Sequence, residues 1–479
     1  MASTATEHPT QQQTGHPPAL YLLFFTEMWE RFSYYGMRGL LILYLTKSAV
    51  AGGLGIAEKT GSLIYGYFTG FVYFTPIIGG WLAERYLGQR RSIFIGGTLM
   101  ALGQFSLFAQ PGFPATMSLF GVVMPVASVL GLFLLMVGNG FFKPNISTVV
   151  GKLYEQGDPR RDAAFTIFYM GINVGALFAP LVCGYLAENA FATRHLDPAT
   201  GQWVVDVYAF RYAFLAAGIG MVIGQLAFNI VGPRLLGEVG LRPSAAASNG
   251  AEAAAKAPLT KEETDRMSVI FIITVLVVFF WAGFEQAGSS LSLYTDKYIN
   301  REVFGFLIPT SWFQSVNPLF IVLLAPAVAG YWVKRASEGR DFSIPVKMAL
   351  GMILLGVGFL FMVGAVLERG GDIADTTVKA SILWLLATYF FHTIGELCLS
   401  PIGLSMVSRL SPVAYTSMLM GVWFLSPFVA QIAGGYIAAY VEEMGALKVF
   451  GLIAAFVILA GFVLLAITKK LMYMMHGRG

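Results

Sequence analysis

Charge is what this chain has least of. Only 12% of its 479 residues are charged, against 56% hydrophobic and 14% aromatic. A soluble domain carries about 25% charged residues, so the shortage excludes a disordered chain, a basic nucleic-acid binder and an ordinary cytosolic enzyme. Cysteine is nearly absent: Cys183 and Cys398 both sit in apolar runs, which argues against a disulfide framework or a cysteine-rich metal site. No GxxxxGK[ST] loop is present to bind a nucleotide. The net charge of +4 is too small to imply a polyanionic partner. What remains is the composition of a polytopic membrane protein.

Runs of about 20 apolar residues mark spanning helices. Twelve are present, near 20–46, 61–82, 92–110, 122–150, 163–188, 208–231, 267–295, 311–333, 344–367, 378–408, 413–440 and 446–468. The expected organisation is a disordered stretch over 1–19, a six-helix bundle over 20–231, a polar linker over 232–266, a second bundle over 267–468 and a tail over 469–479. The polar start has no basic segment leading into an apolar core, so it does not read as a cleaved signal peptide. Nineteen basic residues fall in loops and tail on one side of these spans and nine on the other, which predicts that both termini are cytoplasmic.

The two halves resemble each other at a shift of about 250–257 residues. Pro76, Gly80, Arg85 and Arg90 recur as Pro326, Gly330, Arg335 and Arg340; Gly138, Pro144 and Val150 recur as Gly395, Pro401 and Val407; Phe24, Phe25 and Glu30 recur as Phe279, Phe280 and Glu285. Same-sense repeats of six spans are the plan of the major facilitator fold, an all-α integral membrane architecture with its substrate site between the halves near the bilayer midplane.

Ionisable groups deep in a span cost about 2.5–3.5 kcal/mol each on insertion scales, so they face a cavity or a partner. The first span holds Glu27, Glu30, Arg31 and Arg38, with Glu27, Arg31, Tyr34 and Arg38 on one helical face. Glu27 stands four residues before Arg31, the favourable order for an ion pair. Lys143 lies in the fourth span, Glu285 in the seventh and Glu396 in the tenth. An isolated pair could simply fix helix register. Charges spread over four helices of both halves point instead to a cavity that is basic on the N-terminal side and acidic on the C-terminal side. Such poles suit a zwitterion. A proton and a substrate carboxylate could each release a cation from its acid, which would couple the two.

The run Glu27-Met-Trp-Glu30-Arg31-Phe32-Ser-Tyr34-Tyr35-Gly36 resembles the ExxERFxYYG motif of proton-coupled oligopeptide transporters. Phe168-Tyr-Met-Gly-Ile-Asn173-Val-Gly175, Gly140-Phe-Phe-Lys143-Pro144-Asn145, Trp312-Phe-Gln-Ser-Val-Asn317-Pro318 and Gly395-Glu396-Leu-Cys-Leu-Ser400-Pro401 are similar to further signatures of that family. The resemblance implies proton-driven uptake of di- and tripeptides across the cell membrane by alternating access, with peptidomimetic drugs as further candidate ligands. It implies that Arg31 and Lys143 hold the peptide carboxylate and Glu396 the amino terminus. Asn173 and Asn317 would meet polar main-chain groups, and Ser400 belongs to the same peptide-binding set. Tyr34, Tyr35, Tyr73, Trp281 and Trp423 would line side-chain pockets. Glu27, Glu30 and Glu285, with Arg31 and Lys143, are the proton-coupling candidates, and Glu84, Arg85 and Arg90 a gating loop. Protons are the only coupling agent expected, with no cofactor, no metal, no nucleic acid and a monomer in the bilayer.

Where animal members of the family have a histidine in the second helix, this chain reads Tyr65-Gly66-Tyr67, so coupling is expected to rest on carboxylates. His392, the one histidine in a span, is open to a packing role or a proton relay. Two other readings compete: a facilitator for another substrate, such as a drug exporter or a nitrate carrier, and a membrane-embedded enzyme. The first has no use for opposed poles. The second lacks a third ligand to join His392 and Glu396.

Overall fold

The structure, a computed structural model, describes residues 15–119, 121–155, 158, 160–198, 201–243, 259–412 and 415–477. Twelve long helices dominate it: α1 (Pro18–Thr46), α2 (Glu58–Leu82), α3 (Gln89–Ala109), α4 (Val126–Lys152), α5 (Arg160–Tyr185), α6 (Phe210–Leu236), α7 (Lys261–Phe284), α8 (Val316–Ser337), α9 (Ile344–Glu368), α10 (Ile382–Leu410), α11 (Thr416–Ala439) and α12 (Ala446–Met474). Among the described residues, ten helical segments are long and apolar enough to cross a membrane; those of α1 and α2 are not among them, and α1 carries the four charges noted above.

Local chemistry sets the boundaries. Proline opens α1, where a missing N–H costs nothing because that position has no helical acceptor. A capping box at Thr260, whose hydroxyl accepts from Glu263 N while the Glu263 side chain accepts from Thr260 N, starts α7 at Lys261, ahead of the expected 267. After Phe284 the helix tightens into a 3₁₀ turn over Glu285–Gly288 and resumes at Ser290–Tyr298. Prolines lie inside α2, α4, α5, α6, α8, α10 and α11, where each removes one backbone donor.

Other expected boundaries move as well. Val122–Pro125 is a strand paired with Thr116–Leu119, so α4 begins at Val126 and not at 122. The cause is Gly121, whose φ of 81° turns the chain back on itself. At the other end of the chain α12 continues to Met474 and takes in Lys469 and Lys470, because Leu471 and Met475 are buried in the C-terminal core. Of the stretch expected to be disordered, residues 1–14 lie outside the described residues. Residues 15–17 lead into α1, with His16 Nδ1 2.8 Å from the Tyr154 hydroxyl. The middle of the expected linker, 244–258, is likewise outside the described residues.

Two apolar cores form, one almost wholly from α1–α6 and one from α7–α12. Across the divide α2 packs on α11, and α5 packs on α8. Three two-stranded hairpins, in the connections α3–α4, α5–α6 and α7–α8, gather at the end opposite the termini. That end is called distal below, and the other the terminal end.

Candidate transport cavity

A cavity of about 670 Å³ lies between the halves, within the size range of small-molecule sites. Its wall includes Arg31, Tyr35 and Arg38 from α1, Tyr73 from α2, Lys143 from α4 and Asn173 from α5. The second half contributes Trp281, Glu285, Asn317, Glu396, Ser400 and Trp423. Two faces of opposite charge therefore meet across one space.

On the N-terminal face α1 presents its charges at helical spacing. Arg31 Nε lies 3.0 Å from Glu27 Oε1 and pairs with Glu30 as well, while Asn139 Nδ2 donates to Glu30 Oε1 at 3.1 Å. Exposure of Glu27, Glu30 and Arg31 is 3% or less. A buried charge stripped of its partner costs several kcal/mol, so these three must act as a unit. Glu27 and Glu30 sit behind Arg31 and do not reach the cavity wall. The close seat of α1 on α5 needs Gly175, where a Cβ would stand 2.4 Å from Met28 O. Lys143 directs its ammonium at the Tyr73 ring, 4.6 Å from the centroid.

On the C-terminal face, Asn317 Nδ2 donates to Glu396 Oε2 at 2.9 Å and to Thr393 Oγ1 at 3.1 Å. Glu285 occupies the break in α7 and pairs with Arg38 of the opposite half, while Arg38 Nε also donates to the Tyr65 hydroxyl at 2.9 Å. Among the described residues, neither Lys143 nor Glu396 belongs to an ion pair. Each is a charge facing the same space with its ionic valence unspent.

Tyr34 departs from the expected set. It is 3% exposed, packs edge-on against Tyr35 at 5.3 Å and stays off the cavity wall. The wall follows Arg31, Tyr35 and Arg38, at i, i+4 and i+7, and Tyr34 is turned about 100° from Tyr35. Asn173 Nδ2 is held by Tyr169 O at 3.1 Å. His392 borders the cavity but is only 1% exposed, wedged between Phe359 and Phe284. Glu84 and Arg85, expected in a loop, lie in a π-helical turn over Ala83–Leu87 that continues α2; both are exposed, with Arg85 over the rings of Trp81 and Tyr86. Arg90 Nη1 donates to Gly237 O at 2.7 Å, which ties α3 to the end of α6 within one half. Residues that spacing did not single out also form the wall: Tyr169, Phe284, Gln314, Tyr389, Leu404 and Gly421.

The distal end is shut. Lys47 pairs with Asp296, Lys297 with Glu58, and Lys59 with Glu443 at 2.5 Å. Glu188 at the end of α5 accepts from Thr310 N at 2.6 Å, Ser311 N at 3.1 Å and Ser311 Oγ at 3.0 Å, with Arg301 at 3.5 Å. Thr69 donates to Gln431 at 2.9 Å, and Trp312 Nε1 to Leu181 O at 2.9 Å. Among the described residues, every hydrogen bond and ion pair that joins the halves lies in the distal half of the helices.

Comparison with known proteins identifies the family. The POT family profile matches residues 90–251 and 244–453. The chain is 34% identical to the peptide transporter YePEPT of Yersinia enterocolitica, with 89% of this chain and 88% of that one aligned. It is 30% identical to dipeptide and tripeptide permease A of Escherichia coli strain K12, over 94% and 92%. A crystal structure of a mutant of peptide transporter POT in complex with alafosfalin superposes with a TM-score of 0.82 at 33% identity, covering 98% of each chain. The fold and the paired faces thus define a multi-pass membrane transporter, not an enzyme. The chain belongs to the POT family.

Proposed function

We propose that this protein carries di- and tripeptides across the cell membrane together with protons, the peptide lying between the halves with its carboxylate toward Arg31 and Lys143 and its amino terminus toward Glu396. The observation that carries the reading is the pair of unmatched charges on one cavity, Lys143 on α4 and Glu396 on α10. A zwitterion would satisfy both at once, whereas nitrate has no ammonium for Glu396. Peptidomimetic drugs with the same termini fit the same poles. Tyr35, Tyr73, Trp281 and Trp423 form a wall that asks little directional bonding of a side chain, which suits a transporter of varied peptides.

Proton coupling rests, in this reading, on Glu27, Glu30 and Glu285. All three hold an arginine of α1: protonation of Glu285 frees Arg38, whereas Arg31 is freed only when Glu27 and Glu30 both take a proton. Freed Arg31 gains a valence for the peptide carboxylate. Freed Arg38 removes one of the links between the halves. One proton moving through roughly 150 mV supplies about 3.5 kcal/mol, enough to concentrate a neutral zwitterion a few hundred-fold. With both termini taken as cytoplasmic, from the excess of basic residues on that side, the cavity opens inward in this conformation. The site is complete within one chain, and a monomer suffices.

The test is dialanine uptake into liposomes holding the purified protein, with and without an inward proton gradient. Accumulation above the external concentration, abolished by a protonophore, is the expected result. No uptake under either condition overturns the reading.

A further inference from the structure

α10 carries Glu396 and, one and two turns further on, Ser400 and Leu404 on the cavity wall. Between the last two stands Gly403, buried and off the wall. The reason for glycine is on the neighbouring helix. A Cβ at Gly403 would lie 2.4 Å from Cζ2 and 2.5 Å from Cη2 of Trp423 in α11. Non-bonded carbons settle at about 3.5–4.0 Å, so a methyl group there requires the indole or the α10 backbone to retreat by about 1 Å.

The indole has somewhere to go. Trp423 is 7% exposed, and it borders the cavity. Nearby Gly421 also lines the cavity, and a Cβ on it would meet nothing within 4 Å. The third neighbour of Gly403, Met348 Cε at 3.4 Å, is the free end of a flexible chain and does not hold the ring in place. A planar indole moves as a plate, so a push at its benzo edge displaces a whole face of the pocket.

We propose that Gly403 is a specificity-determining position: lacking a side chain, it provides the recess into which Trp423 lies back, and that recess sets how bulky a peptide side chain the cavity accepts. Gly403 touches no ligand and acts through Trp423, so it is a positioning residue. The proposal rests on the reading of the cavity as a peptide site.

The experiment measures competition by dialanine, Ala-Phe and Phe-Ala against labelled dialanine uptake in proteoliposomes. In Gly403→Ala, the concentrations of the phenylalanine dipeptides needed for half-inhibition rise roughly tenfold relative to that of dialanine, the scale of one misplaced methylene in an apolar pocket. The double variant Gly403→Ala with Trp423→Phe returns the ratio toward wild type, because the smaller ring fits beside the new methyl. Gly451→Ala in α12, another helical glycine whose Cβ would meet nothing within 4 Å, leaves the ratio where it was. If Gly403→Ala weakens all three peptides equally or changes none, or if the smaller ring fails to restore the ratio, the inference is overturned while peptide transport stands. Wild-type protein that takes up no dipeptide removes both readings together.

Discussion

The two ends of the interface between the halves are built from different material. At the distal end α2 and α11 cross almost backbone to backbone: a Cβ on Gly66 would stand 2.7 Å from Gly435 Cα and 2.8 Å from Gln431 O. Around that crossing lie a buried ion pair, a buried carboxylate on backbone donors, and exposed ion pairs at the rim. Toward the terminal end the facing groups are Lys143, Tyr73, Leu404 and Phe424, and no hydrogen bond or ion pair joins the halves there among the described residues. The contrast shows that closure here does not come from one lock. It is graded, from contacts that only small residues permit to charges already half in water. If that is right, substitutions along the seal should fall in order of burial.

The largest effect belongs to Gly66→Leu. Neither Gly435 nor Gln431 O can yield without parting α2 from α11, since close helix approach in a membrane depends on small residues. The variant should lose concentrative uptake, and a cysteine introduced as Gln314→Cys should become reactive to an impermeant thiol reagent applied at the distal face. Gln314 is a good reporter because it lies on the cavity wall and donates to Gly39 O at 3.3 Å, inside the seal. An unreactive cysteine in that background would mean that the crossing is not what closes the distal end.

Next comes Arg38→Leu. Removing one member of a buried pair leaves the other charge uncompensated at about 3–5 kcal/mol, and here the orphan is Glu285 at the break in α7. Proton-driven accumulation should vanish, while a double variant that adds Glu285→Gln should recover stability without recovering the gradient response. Thermal unfolding of the detergent-solubilised protein reads the first half, and uptake the second. Recovery of the gradient response in the double variant would remove this pair from the coupling scheme.

Legibility in the sequence follows chain distance. Glu27 and Arg31 share a helix, so their spacing alone announced the contact now seen at 3.0 Å. The twelve helices and the doubled plan were visible too, because apolar length and repeated order are one-dimensional signals, although among the described residues only ten helical segments are apolar enough to cross a membrane. Arg38 with Glu285, and Glu188 with Thr310, join separate halves, and no periodicity within one helix records which residue waits on the other side. Glu188 did leave a trace: it is an acid at the end of a span in a chain short of charge. Tyr34 was misplaced because a face defined by three- and four-residue steps is too broad to separate neighbours. Only the packing of α1 against α5 and α6 shows that Tyr35 faces the cavity. Gly403 and Gly66 were invisible for the opposite reason, since what matters at a glycine is the atom a side chain would have met.

Third in size is Glu188→Ala, which would strand the Thr310 and Ser311 N–H groups and leave Asp296, at 3.3 Å, as the one carboxylate on Arg301 among the described residues. Losing the partner of a buried donor costs about 1–3 kcal/mol, so the closed distal state should weaken roughly tenfold or more rather than disappear. Reactivity of the Gln314→Cys reporter would rise but stay below that in Gly66→Leu.

The rim should matter least. Lys59 and Glu443 are bonded at 2.5 Å, yet their side chains are 48% and 50% exposed, so water and salt screen the pair and the entropy of fixing two long side chains works against it. Lys59→Gln should therefore leave both accumulation and Gln314→Cys reactivity at the parent level, in low salt as in high. A clear rise in distal reactivity for Lys59→Gln would break the graded picture at its weakest step. It would mean that the rim pairs act together as a belt, with the partly buried Lys47–Asp296 and Lys297–Glu58 pairs holding the mouth shut from outside the glycine crossing. Combining Lys59→Gln with Lys297→Gln separates the two possibilities. Independent rim pairs give a double variant as silent as either single one, whereas a belt gives an effect larger than their sum.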